Sequence, residues 1–176
     1  MSSSPERHAE LTGDQLRKIL NYDPQTGEFS WLVKLSARRM PGQKAGTNSS
    51  VNGYRYISIN RRSYLAHRLA WFWVHGEWPP EQIDHINGVR ADNRISNLRV
   101  ATSSQNTCNS KKPRTNTSGF KGVVWHRQSK KWRAQIGAAG KFRHIGLFSN
   151  IEDAAAAYSK AAQDAHGEFA WKGGAS

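Results

Sequence analysis

Asp84 and His85 stand side by side in the stretch "QIDHINGVRADNRISNLRVATSSQN", and Asn97 and Asn106 follow within it. An imidazole exchanges a proton near neutral pH. Carboxylate and amide oxygens are hard donors that suit a divalent cation such as magnesium. Residue types of this kind either cut something or merely turn the chain, because Asp and Asn are common turn formers. Asp84, Asn87, Asp92, Asn93 and Asn97 would each, taken alone, read as a turn residue. An EF-hand-like calcium loop is excluded, since its alternating acidic ligands are missing.

The flanking elements decide whether these groups can meet. "QIDHI" predicts a short strand, "NG" a hairpin turn and "NLRVA" a second short strand. Thr102 followed by Gln105 has the form of a capping box, so a helix is expected to begin there and to carry Asn106 in its second turn. The order is strand, loop, strand, helix. A helix packed across the hairpin brings Asn106 opposite Asp84 and His85. Neighbouring residues of a regular strand face opposite ways, so Asp84 and His85 share one site only where the strand ends or bulges. The adjacent Asn87-Gly88 turn supplies such a distortion.

Upstream, "LTGDQLRKIL" has Leu11, Leu16, Ile19 and Leu20 near helical spacing, and "DPQTG" stops it. "EFSWLV" and "YRYISI" predict strands, "NRRS" a turn, and "YLAHRLAWFWVHG" a mostly buried helix ended by Gly76. His67 and His75 lie on that helix without partner spacing and are assigned no chemistry. Downstream, the polar, basic "NSKKPRTNTSG" reads as a linker or strap. "FKGVVWHR", "KWRAQIG" and "KFRHIGLF" then predict a three-stranded meander. "NIEDAAAAYSKAAQDAHG" predicts a helix with Glu152 and Asp153 in its first turn and Gly167 as its stop.

The whole chain narrows the partner. Its 176 residues, 37% of them hydrophobic, suffice for modest cores. A formal net charge of +13 and a pI near 10.3 point to a polyanion, with nucleic acid first. No acidic residue falls between Asp92 and Glu152, while basic residues recur there among Phe120, Val123, Trp125, Trp132, Ile136, Phe142, Ile145 and Phe148. Disordered tails are poor in such residues, so a folded basic surface is expected. The single cysteine, Cys108, excludes an internal disulfide and any Cys-rich zinc site. No apolar run approaches a membrane span, and the opening residues lack the core of a signal peptide, so an intracellular, cytoplasmic protein of a bacterial or phage-infected host cell is expected.

Taken together, "DH", "NLR" and "QN" on a helix resemble the HNH endonucleases, whose ββα-metal fold holds one divalent cation. The resemblance covers roughly Val51 to Lys112. It implies that Asp84 and Asn106 ligate the metal, that His85 acts as general base and that Asn97 fixes the loop geometry. A neutral imidazole suits the base, and a carboxylate with an amide oxygen suits magnesium or manganese better than zinc. Asn106 stands where a second histidine is frequent in the family, and the cysteine pairs that staple some members with zinc are absent. Apolar packing must therefore hold the hairpin.

The segment from about Thr117 to Ala170 is similar to the Apetala/ethylene-response-factor DNA-binding domain of plant regulators, which is also joined to phage-type HNH nucleases. Its pieces here are "GV", "KWRAQI", "HIGLF" and "EDAAAAY". The resemblance implies a sheet laid in the major groove of double-stranded DNA. Alternation puts Trp132, Ala134 and Ile136 on the helix side, leaving Arg133 and Gln135 outward, chemically suited to guanine and adenine edges. His144 is expected on the same outer face, with Lys121, Arg127, Lys141 and Arg143 on phosphates. Val123-Val124-Trp125 replaces the arginine-rich run of the plant pattern, so no target sequence carries over.

The expected fold is α+β, with an N-terminal helix and strand region over 1–50, an HNH module over 51–112, and a linker with the Apetala-like sheet and helix over 113–176. The expected function is a magnesium- or manganese-dependent, site-specific endonuclease of the homing type, acting as a monomer on double-stranded DNA, with no membrane partner. A DNA-binding regulator with a relict HNH scaffold is the alternative, and intact Asp84, His85 and Asn106 argue against it. A nonspecific nuclease fits less well with so large a reader module.

Overall fold

The computed structural model describes residues 11–37, 39–110, 112, 115–138 and 141–171, with Ala138 and Lys141 described in backbone alone. The fold is α+β, built among the described residues from small sheets and four helices. The described residues divide into two compact units, those of Met1–Pro80 with Arg90–Leu98 and those of Glu81–Val89 with Arg99–Ser176. The HNH module expected over 51–112 is therefore shared between units. The C-terminal sheet and helix fall in the same unit as Asp84, His85 and Asn106.

In the first unit, helix α1 (Gly13–Ile19) opens on a capping box in which Thr12 and Gln15 each satisfy the other's backbone N–H. The helix was expected to run through Leu20, but Leu20 opens strand β1 (Leu20–Asp23), which pairs antiparallel with β2 (Glu28–Trp31). The reason is pairing: Leu20 faces Trp31 and Tyr22 faces Phe29 across the ladder, and all four are buried. Propensity yields to that cross-strand burial. Strands β3 (Thr47–Asn48), β4 (Arg55–Ile59) and β5 (Arg62–Leu65) form a second antiparallel sheet. The turn read in "NRRS" is tighter than expected. Asn60 and Arg61, both at positive φ, make it alone, and Arg62 already belongs to β5. Helix α2 (Ala66–His75) then packs Leu69, Ala70 and Phe72 inward and stops at Gly76 in the left-handed conformation.

In the second unit, β6 (Gln82–His85) and β7 (Leu98–Ala101) make a two-stranded sheet, followed by the short helix α3 (Ser103–Cys108). Strands β8 (Val123–His126), β9 (Lys131–Ala138) and β10 (Lys141–Phe148) form an antiparallel meander in the order β10-β9-β8. Helix α4 (Ile151–His166) is capped by the Asn150 side chain on the Glu152 N–H and ends at Gly167. A single 3-10 turn, Gly167–Phe169, follows. Val123, Ala134 and Ala154 make one cluster with Phe120, Trp132, Ile145, Phe148 and Tyr158 around it. Ile136, Ala162 and Ala170 make a second. Alanines on α4 let helix and sheet approach closely, so space between them is tight.

Gly122 shows how tight. Its φ is +72°, and a Cβ added there would lie 2.1 Å from Cε2 of Tyr158. Gly122→Ala is expected to combine left-handed strain with overpacking, costing about 2 to 4 kcal/mol. Gly53→Ala, also at φ +72° but with nothing within 4 Å, should cost only the strain, about 1 to 2 kcal/mol. Urea titrations of the two variants against the parent check the difference.

Candidate active site

Strand β6 carries three consecutive buried residues, Ile83, Asp84 and His85, and ends at the last of them. The chain then turns: the Gly88 N–H donates to the His85 carbonyl at 2.8 Å, the Val89 N–H donates to the Asn87 side chain at 2.8 Å, and Gly88 has φ +68°. The second strand expected at "NLRVA" is β7, beginning at Leu98, so the connection that opens with the Asn87-Gly88 turn runs from Ile86 to Asn97.

The Asp84 carboxylate, 4% exposed, is held from two sides. Nε and Nη2 of Arg99, on β7, donate to Oδ2 at 2.9 and 2.7 Å. The amide nitrogen of Asn109, the residue that caps the C-terminus of α3, donates to Oδ1 and Oδ2 at 3.0 Å each. That same nitrogen donates to the His85 carbonyl at 2.9 Å. Every partner is an acceptor, so the nitrogen of Asn109 and not its oxygen must face them. One buried amide thus ties α3 to both members of the Asp-His pair.

Helix α3 is placed by the capping box read in the sequence. Thr102 Oγ1 accepts from the Gln105 N–H at 3.2 Å, and Gln105 Oε1 accepts from the Thr102 N–H at 2.8 Å. Asn106 lies on the helix as expected, but its amide donates to Gln82 Oε1 at 2.7 Å, at the opposite end of β6 from His85. Asn109, three residues on, is the amide on Asp84. Lys121 closes the C-terminal end of α3 by donating to the carbonyls of Cys108 and Ser110, both at 2.7 Å. Partial burial lowers its pKa from the ordinary lysine value, with the nearby Cys108 acting in the opposite direction.

Asn97 belongs to the other unit. It is buried at the end of a 3-10 turn, Ile95–Asn97, and its amide donates to the Asp92 carbonyl at 2.8 Å. Arg94 pairs with Asp92 at 2.5 Å, and the Tyr22 hydroxyl donates to the Asn93 carbonyl at 2.7 Å. Gly27 is required by the same packing, because a Cβ there would come within 2.3 Å of the Arg94 nitrogen. The loop containing Asn97 is therefore tied down at several points.

Among the described residues no group of three or more His, Cys, Asp or Glu could hold a metal ion. A closed zinc cage is thus not offered by them. The hard donors at Asp84 are the two oxygens of one carboxylate, because the Asn109 amide presents its nitrogen there; a carboxylate oxygen suits a hard cation that keeps several waters. Arg99 engages only Oδ2, so Oδ1 has the Asn109 amide as its sole hydrogen-bond donor among the described residues.

On the C-terminal sheet, Ala134 and Ile136 are buried with α4, so Arg133 and Gln135 alternate onto the opposite face. His144 pairs with Gln135 and shares that face. Arg143 pairs with Ile136 and stands on the helix side, exposed at the sheet margin. A bulge between His144 and Gly146 sets Ile145 out of register, and Ile145 packs into both clusters. Arg133 lies between Val124 and Leu147 across the ladders, and its buried Nε makes no hydrogen bond among the described residues. Arg127 is exposed in the β8–β9 turn. The Lys141 side chain lies outside the described residues.

Residues 64–108 match the family model for HNH endonuclease. The chain is also 34% identical over 105 residues to Protein 3.8 of Escherichia phage T7, an alignment spanning 59% of this chain and 86% of that relative. The chain belongs to the HNH endonuclease family. The matched segment contains Asp84, His85, Asn97 and Asn106 and stops one residue short of Asn109.

Two residues at the site escaped the sequence reading. Arg99 enters the sequence reading only as part of the strand "NLRVA", although strand alternation sets it apart from Leu98. Asn109 lay at helical spacing from Asn106, a signal that was available. Asn109→Ala leaves a buried carboxylate and the His85 carbonyl short of a donor and is expected to cost about 1 to 3 kcal/mol. Asn106→Ala removes an exposed bond and should cost no more than about 0.5 to 1 kcal/mol. Urea denaturation followed by tryptophan fluorescence distinguishes the two.

Proposed function

We propose that this HNH-family chain is a metal-dependent, site-specific DNA endonuclease of the homing type, working inside the cell as a monomer on duplex DNA. The observation that carries the reading is the Asp84-His85 pair, buried at the end of β6 and tied to α3 through one amide. His85 takes the proton from the attacking water as its oxygen adds to phosphorus and the bond from phosphorus to one sugar oxygen breaks. Asp84 would hold a magnesium or manganese ion, with Asn106 as the second ligand on exchanging the Gln82 side chain, its partner in this structure, for the ion. When bound, such a cation relieves charge on the phosphate oxygens and assists the departing oxygen. Asn97 fixes the loop that follows the pair, consistent with its bond to the Asp92 carbonyl.

The C-terminal sheet acts as an Apetala-like reader. Arg133, Gln135 and His144 share the face turned away from α4, and a buried guanidinium nitrogen without a partner there suits a ligand that supplies an acceptor. Arg127, Lys141 and Arg143 serve phosphates, which position without specifying. Lys121 has two donors engaged by the end of α3, so its part in binding is to hold that end in place.

Purified protein should cleave duplex DNA with magnesium or manganese and stop with a chelator. His85→Ala should lower the cleavage rate by roughly two to four orders of magnitude with DNA affinity nearly unchanged. No cleavage of a randomised plasmid library with any divalent metal would replace the enzyme by a DNA-binding regulator.

The reader assignment has a separate test in binding titrations on favoured and scrambled duplexes. Arg133→Ala or Gln135→Ala should cost about 1 to 3 kcal/mol on the favoured duplex only, if the contact is bidentate. Equal weakening on both duplexes would place recognition elsewhere.

A further inference from the structure

The nuclease site described above does not end with the HNH motif. Arg99, which holds Asp84, is itself held by a segment far along the chain. Its Nη1 donates to the Glu168 carbonyl at 2.8 Å, and its guanidinium carbon lies 3.9 Å from the centre of the Phe169 ring. The Glu168 carboxylate is 3.7 Å away and 75% exposed, so the carbonyl is the firm partner. Two residues on, Trp171 packs against Gly88: a Cβ at Gly88 would lie 2.5 Å from Cζ3 of that indole. Gly88 is the residue whose N–H closes the turn on the His85 carbonyl. One short stretch after α4 therefore braces both the residue that grips Asp84 and the turn that follows His85.

We propose that the segment Gly167–Trp171 is a working part of the nuclease site: through the Glu168 carbonyl and the Phe169 ring it fixes Arg99, and Arg99 fixes the Asp84 carboxylate by Oδ2, so that Oδ1, which accepts one bond from Asn109, keeps a second lone pair for a divalent cation. Arg99 is a positioning residue in this scheme. Its planar fork delivers Nε and Nη2 to one oxygen while Nη1 reaches the Glu168 carbonyl, a three-point fit that a lysine ammonium cannot reproduce. An aromatic face beneath the guanidinium holds its plane without occupying any of its donors. The inference rests on the nuclease reading for its consequence in cleavage, and on the hydrogen bonds alone for its consequence in metal binding.

The test uses the full chain with Phe169→Ala, Phe169→Leu, Phe169→Tyr and Arg99→Lys. Manganese binding is read by the loss of free-ion electron paramagnetic resonance signal, cleavage under single turnover against manganese concentration, duplex affinity in chelator, and folding by thermal melting. Losing an outer partner of a metal ligand typically weakens metal affinity or activity about 10- to 100-fold. Phe169→Ala and Arg99→Lys are expected to weaken manganese binding and cleavage in that range, while duplex affinity in chelator stays within about twofold. Phe169→Tyr, which keeps the ring face, should behave like the parent. Phe169→Leu keeps apolar bulk without a ring, so it shows the same defect in a folded chain even if Phe169→Ala melts early.

Manganese affinity unchanged in Phe169→Leu and Arg99→Lys would overturn the proposal. Tighter binding in those variants would also overturn it, by showing that Arg99 competes with the cation. Should the parent cut no DNA, the nuclease reading fails, and the manganese titrations still decide whether the segment governs Asp84. Absence of manganese binding by the parent overturns both.

Discussion

Asp84 is a carboxylate with 4% of its surface exposed, and burying an ionised carboxyl costs several kcal/mol unless charge and hydrogen bonds replace its water. Arg99 supplies the charge and two of the bonds, and Asn109 supplies the rest. Each supplier then needs its own support. Asn109 must sit at the end of α3, which requires the Thr102-Gln105 box at its start and Lys121 at its finish. Arg99 must sit over the Phe169 ring. The geometry of the second unit around β6 follows from the need to satisfy one acid.

This dependence explains why the second unit joins residues remote in sequence. A ββα motif with a six-residue final helix has little apolar surface of its own, and α3 has no buried residue. Isolated helices this short do not hold in water, since nucleation is unfavourable and few bonds follow it. Polar bonds through Asn109 and Lys121 do what an apolar stripe does elsewhere. The cysteine pairs that staple some family members are absent, and the sequence reading expected apolar packing in their place. Ile83, Leu98 and Ala101 are buried as that reading expects, and the structure adds a polar network at Asp84 with Trp171 against Gly88 as a further apolar brace.

The parts legible in sequence were those set by local chemistry. The capping box at Thr102, the meander of β8, β9 and β10, and the alternation of Arg133 and Gln135 against Ala134 and Ile136 all follow from spacing within a few residues. The fold class followed from the same patterns. What could not be read was set by pairing across the chain. Leu20 looked helical until its partner Trp31 was known, and "NRRS" looked like a turn because the strand it enters is defined by Ile57 and Ile59 opposite. Asn106 and Asn109 lie three apart on one helix, and only the position of β6 decides which amide meets Asp84 and which meets Gln82. The segment Gly167–Trp171 carried no local signal linking it to Arg99.

Charge shows the same division between composition and structure. The formal +13 pointed to a polyanion, and the basic stretch after Asp92 looked like one continuous surface for it. Several of those cations are engaged inside the protein: Arg94 on Asp92, Arg99 on Asp84, Lys112 on the Gly119 carbonyl and Lys121 on the end of α3. Arg127, Lys130, Lys131 and Arg143 are exposed. Salt dependence of binding counts phosphates neutralised, at about 0.9 per contact for duplex DNA, and an internally bonded cation contributes little to that slope. The electrostatic attraction for a polyanion is therefore smaller than composition suggests, because part of the positive charge stabilises the site that the rest would bring to the substrate.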